Sequence, residues 1–232
     1  GVDADSAHDV FDKVSKFIGY GFCRSHAAAF ARTVYHSAWM KRYHPAAHMA
    51  AFMQHRPGMY SLMTLEEEAR RFGVPVLPPS INESGTRYDL ESIEDDVLAI
   101  RKPLTSVSGL SEETARKIVW CRMNGPFQSV EDFAMRVVIP RDNFDALARA
   151  GTFDSLCESS RRALWEAGVL SRRLESYQKT ETLFPMPLLS DEDIPGLPDL
   201  SAAERLSWDY KTHGAARIHP VVLARRALDD LG

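Results

Sequence analysis

The sequence predicts a mainly α-helical protein in which two helical regions flank a short extended ribbon, the second region being built around glycine hairpins. Three observations predict it. Apolar residues recur at helical spacing over most of the chain; two short β-branched segments, "VPVLPPSIN" and "VLAIRKPL", are bounded by prolines; and a small-Gly-apolar turn at 107–110 opens directly into an amphipathic stretch. With 232 residues, 44% of them hydrophobic, the chain can bury a substantial core and has room for one to two domains.

Taken in order, "HDVFDKVSKFI" places Val10, Phe11, Val14, Phe17 and Ile18 on one helical face, with Gly19 in the position after the last helical residue. The loop "GYGFCRSH" follows. Ser25 is the expected N-cap of a helix running to about Tyr43, ahead of Pro45; "AAHMAAFMQH" continues as a second helix up to "RPG". A third helix is expected from about Ser61 to Phe72, stopped by Gly73. The two proline-bounded segments then read as extended chain, and residues from Ser111 to about Tyr177 read as helical again. "FPMPLLSDEDIPGLPDL" is rich in proline and acid and reads as a linker.

Charge is uneven along the chain although the formal net charge is only −4. Residues 1–60 hold seven Lys and Arg against four Asp, with six of the eight His; residues 61–100 hold nine acids against three bases. Residues 101–150 return to eight bases against six acids, and 181–232 are acidic, nine against five. Bulk attraction to nucleic acid is therefore excluded, and only local patches can serve. No stretch approaches the roughly 20 apolar residues of a membrane span, and no leader pattern opens the chain. A cytoplasmic location and no membrane partner are expected. Cys23, Cys121 and Cys157 are odd in number and far apart, which argues against a disulfide framework or thiolate zinc site. The opening "GVDADSAHDVF" lacks an initiator Met, as expected of a piece of something longer.

Two stretches carry chemistry. In "GYGFCRSHAAAFA", Arg24, Ser25 and His26 lie where a glycine-hinged loop becomes a helix, whose free N–H groups and positive dipole end favour an anion. The three alanines behind them would let another backbone approach closely. The plainer reading is a capping Ser, a surface Arg and a tight helix crossing. In "LTSVSGLSEETARKIVW", Val107, Ser108, Gly109 and Leu110 form a candidate hairpin. Ser111 is a cap, Glu112 and Glu113 fill the first turn, and Arg116 and Lys117 lie about a turn on. This is the pattern of a helix-hairpin-helix, in which backbone N–H groups at a helix start meet a DNA phosphate and no base is read. A weaker second copy lies at "LARAGTFDSL", with Ala150 and Gly151 at its turn, 42 residues after Gly109. Two capped helix turns are the plainer reading here too.

In the same order along the chain, "FIGYGFCRSHAAAFARTVYHSAWMKRYHPAAHMAAFM", "VPVLPPSIN", "VSGLSEETARKIV", "FQSVEDFAMR" and "LARAGTFDSL" resemble the C-family bacterial DNA polymerases, the alpha subunits of polymerase III. "SRRALWEAG" and "WDYKTHGAARIHPVVLARRALDDLG" are most similar to its error-prone, damage-associated branch. The resemblance implies a helical fingers tip over 1–60, a connecting segment over 61–102 with the short β-ribbon, and a tandem helix-hairpin-helix domain over 103–177. A linker over 178–203 and the start of a following region over 204–232 complete it. It implies that Tyr20, Arg24, Ser25 and His26 face the incoming deoxynucleoside triphosphate or the template. Val107 to Ser111, Arg116, Lys117, Ala150 and Gly151 would then hold duplex or primer-template DNA.

The family's catalytic aspartates and their two Mg2+ ions belong to a palm that this chain lacks, so no catalytic residue, metal site or cofactor is expected here, and the chain alone is expected to be inactive. The family's clamp-binding peptide has a poor counterpart in "QKTETLF": Leu183 and Phe184 are present, but Gln178 is displaced and Thr180 takes the first position. Little clamp affinity is expected; other proteins of translesion synthesis and DNA repair remain possible partners. Three other readings stay open. These are a stand-alone DNA-binding repair accessory, an inactive truncated remnant, and a metalloenzyme using His36, His44, His48 and His55, for which no acidic ligand lies at suitable spacing.

Overall fold

A computed structural model describes residues 3–18, 23–93, 97–177, 189–190, 194–214, 216, 218 and 220–229. Its helices are α1 (Ala4–Ile18), α2 (Arg24–Tyr43), α3 (Pro45–His55), α4 (Leu62–Arg71), α5 (Glu112–Arg122), α6 (Val130–Arg136), α7 (Arg141–Arg149), α8 (Ser160–Tyr177), α9 (Ala202–His213) and α10 (Pro220–Asp229). The strands are β1 (Val76–Leu77), β2 (Asp89–Ser92) and β3 (Leu98–Arg101), and a single 3₁₀ turn covers Leu104–Ser106. The protein is mainly α-helical, as the sequence predicts. No helix among the described residues is long and apolar enough to cross a membrane.

The chain divides into two compact units, residues 1–48 and 49–232, with α3 crossing the boundary. In the first unit no residue of α2 is buried, and Phe30, Val34, Tyr35, Trp39 and Tyr43 all stand exposed. Among the described residues, Ala27, Ala28 and Ala29 stand exposed, so the close helix contact expected from them is not found there.

The second unit is organised around an aromatic core. Phe127, Phe133, Phe144 and Phe153 are almost fully buried. The Phe133 ring lies 5.1, 5.3 and 5.0 Å from those of Phe127, Phe144 and Phe153, in the tilted and edge-on arrangements that aromatic quadrupoles favour. Ile118, Leu147 and Leu170 complete this core from α5, α7 and α8, and Ile81 and Leu104 reach it from the connecting segment.

The expected ribbon is a three-stranded sheet of order β1-β3-β2, with β1 parallel and β2 antiparallel to β3. Its edge strand β2 is too polar and exposed to announce itself by alternation. A cross-strand charge pair fixes it instead: Arg101 on β3 donates through Nε and Nη2 to the Glu91 carboxylate at 2.7 and 2.8 Å, while its Nη1 donates to the Pro78 carbonyl. The loop after β1 is braced to the helical core by Asn82. Its amide accepts from the Phe127 N–H at 2.8 Å and donates to the Phe127 carbonyl at 2.9 Å, and Ile81 N–H donates to Thr152.

The helical stretch expected from Ser111 to Tyr177 is four helices. It breaks where Gly125 adopts φ +114°, over Val137–Pro140, and from Ala150 to Ser159.

Candidate nucleic-acid interface

Residues 107–110 form a β-turn in which Leu110 N–H donates to the Val107 carbonyl at 3.1 Å. Gly109 takes the third position with φ +85°, a left-handed conformation that glycine enters without steric cost, as a type II turn requires. Val107 and Leu110 anchor the turn by burial, while Ser108 and Gly109 are less enclosed. Nothing lies within 4 Å of where a Cβ on Gly109 would be, so the turn's outer face is open.

Two contacts hold the peptides on either side of the turn's central one: Ser108 N–H donates to the Thr212 carbonyl at 2.8 Å, and the Asn143 amide donates to the Gly109 carbonyl at 2.8 Å. Among the described residues, no hydrogen bond engages the N–H groups of Gly109 and Ser111. Ser111 caps α5 by accepting from Thr114 N–H at 3.1 Å. A turn with outward N–H groups thus feeds straight into the positive end of a helix dipole, an arrangement suited to a phosphate.

The flanking charges are mixed. Arg116 pairs with Glu112 at 2.6 Å, both well exposed, so first-turn acid and following base largely cancel. Lys117 donates to the Val138 carbonyl at 2.5 Å from an exposed position, and its ammonium keeps two further donors.

The second turn differs in each of these respects. Ala150 and Gly151 are buried. Gly151, at φ +73°, ends α7 in a left-handed cap: its N–H donates to the Ala148 carbonyl at 3.1 Å, and Thr152 N–H to the Leu147 carbonyl at 3.2 Å. The Ala150 carbonyl receives the Nε2–H of His213 at 3.1 Å. Its N–H groups are therefore already bonded, and α8 begins only at Ser160 rather than directly after the turn.

In the other unit, Arg24, Ser25 and His26 are exposed in the first turn of α2. The N-cap is Cys23, not Ser25: Cys23 holds an extended backbone at ψ 120°, whereas Ser25 is already helical and turns its Oγ to within 2.9 Å of the Cys23 Sγ. The Ser25 hydroxyl holds the Cys23 thiol below its usual value. Tyr20 and the clamp-peptide residues Leu183 and Phe184 lie outside the described residues.

Sequence reasoning did not find Asn143, Thr212 or His213 as partners of the turns. A backbone carbonyl leaves no trace in sequence, but Gly151 at a helix end is a C-cap signature and could have marked the second turn as self-satisfied.

Among the described residues, no three His, Cys, Asp or Glu side chains are grouped to hold a metal ion. The "EEE" acids pair with cations instead, Glu66 with Lys102 and Arg70, Glu67 with Arg70 and Glu68 with Arg71.

Residues 73–164 match the helix-hairpin-helix motif family. Along its whole length the chain is similar to curated proteins named error-prone DNA polymerase. It is 37% identical to that of Corynebacterium efficiens over 234 residues, 100% of this chain and 20% of the relative. It is 36% identical to that of Corynebacterium glutamicum, over 100% of this chain and 21% of the relative. It is also 37% identical to that of Burkholderia pseudomallei, over 99% of this chain and 21% of the relative. The chain thus spans about a fifth of the length of these relatives.

Proposed function

Because this chain is related along its whole length to the error-prone DNA polymerases and carries a helix-hairpin-helix domain, we propose that it is the part of such an enzyme that grips DNA by its backbone. The observation that carries this reading is the open Gly109 turn: two N–H groups with no partner among the described residues, at the start of a capped helix and inside the region that matches the motif family. Contacts of that kind fix position on a duplex and read no sequence, which suits an enzyme that must hold any primer-template. Residues 1–60 would supply the fingers tip, with Arg24, Ser25 and His26 toward the incoming nucleotide. The parent activity, nucleotidyl transfer in translesion or repair synthesis, would use Mg2+ held elsewhere in the polymerase. Among the described residues, the clustered acids Glu66 and Glu67 are already paired with Lys102 and Arg70 and do not fit that ion.

Duplex affinity measured across a salt series tests the assignment. Gly109→Val forces a β-branched residue into φ +85° and is expected to cost about 1–2 kcal/mol of local strain and to remove most duplex binding, while meeting no neighbour sterically. Lys117→Ala is expected to lower the slope of log affinity against log salt by about one. Equal binding by the parent chain and both variants rejects the site.

A further inference from the structure

The two glycine turns of the domain are occupied differently, and helix α9 touches both. Its last carbonyls and side chains reach the first turn through Thr212, which accepts from Ser108 N–H at 2.8 Å. They reach the second through His213, buried, whose Nε2–H donates to Ala150 at 3.1 Å. Three more contacts seat the same helix along its length. The Arg149 guanidinium lies 5.8 Å over the Trp208 ring, Arg161 pairs with Glu204 at 2.5 Å, and Tyr210 Oη donates to the Met63 sulfur at 3.1 Å. We propose that α9 is a positioning clamp for the DNA-holding turn: it closes the second hairpin, and it orients the first by taking the Ser108 N–H so that those of Gly109 and Ser111 point outward. The division of labour is then one turn for the phosphate and one for the clamp. The proposal rests on the reading that the Gly109 turn binds DNA.

The physical case is one of peptide orientation. A type II turn exchanges with type I by rotating its central peptide, here Ser108–Gly109, which carries the Gly109 N–H; the two peptides that flank it, Val107–Ser108 and Gly109–Leu110, are held by Thr212 and by Asn143, which restrains that rotation from both ends. Losing one pin leaves the turn formed but its N–H directions variable, which weakens a contact depending on two aligned donors.

Amide hydrogen exchange and duplex binding on the whole chain test this with two variants. His213→Ala is expected to speed exchange at Ser108 by tenfold or more and to weaken duplex binding by about tenfold. Amides inside α8 should stay protected. His213→Gln, which can still donate to Ala150, is expected to restore both. Should His213→Ala unfold the chain, Glu204→Ala at the exposed start of α9, which removes the capping box and the Arg161 pair, gives a milder loosening in the same direction. Unchanged Ser108 exchange and DNA affinity in a variant with a lowered Tm overturns the clamp. If the parent chain binds no duplex while Ser108 exchange still responds to His213, the α9 contact stands and the DNA-holding reading falls.

Discussion

Tyr88 shows how one side chain ties this fold to pH. Burial first, and then the Glu66 carboxylate, push its phenol up to about 12. Raised above the unfolded value of 10, the folded group contributes stability that is fully present below pH 10 and is lost as pH rises through about 12. The gap between the folded and unfolded values is worth at most about 3 kcal/mol. Tyr88→Phe is therefore expected to flatten the loss of stability between pH 10 and 12, seen in denaturant midpoints compared at both ends; an alkaline limb as steep as the parent's refutes the assignment. At this same scale both Gly109 and Gly151 were visible as turn glycines. That the N–H groups of the second turn are taken by the Leu147 and Ala148 carbonyls follows a local helix-end pattern, whereas the arrival of His213 at the Ala150 carbonyl is not encoded locally.

Between elements, the most consequential contact joins α4 to the end of the sheet. Lys102 Nζ lies 2.6 Å from the Glu66 carboxylate, with both side chains almost fully buried, and Arg70 approaches the same carboxylate at 3.4 Å. Removing one member of such a pair strands the other charge. Glu66→Ala is expected to destabilise by about 3–5 kcal/mol, whereas Glu66→Leu combined with Lys102→Met is expected to be far milder and near neutral. Denaturant titration of the three proteins checks this, and equal losses in both variants would refute it. The pairing turns the first acid of "LEEEARR" inward, while Glu67 is more exposed. Strand β2 escaped sequence reading for a related reason, since its hold is the Arg101–Glu91 charge pair and not apolar alternation.

For the whole molecule, the helical class and the order of its parts were legible from periodicity and from glycine and proline placement. Ile81 and Leu104 share one core with Phe127 and Phe153, and the match to the motif family begins at residue 73. The chain's own chemistry supports a binding role, so incubation with primer-template, Mg2+ and nucleotides is expected to give no extension above a buffer control; measurable incorporation would overturn that expectation.

The brace around Asn82 also sets a schedule for biosynthesis. The N–H of Ile81 is bonded to Thr152, and the Asn82 amide to Phe127. In a nascent chain leaving the ribosome the Asn82 amide waits for Phe127, just after α5, and the Ile81 N–H waits for Thr152, after α7, several seconds later at roughly 5–20 residues per second. During that interval β1 can already pair with β3, but the loop after it still lacks its seat on the helical core. The sheet can therefore form early, whereas its loop is fastened to the helical core only once residue 152 has followed and the core itself is filled only with Leu170 of α8.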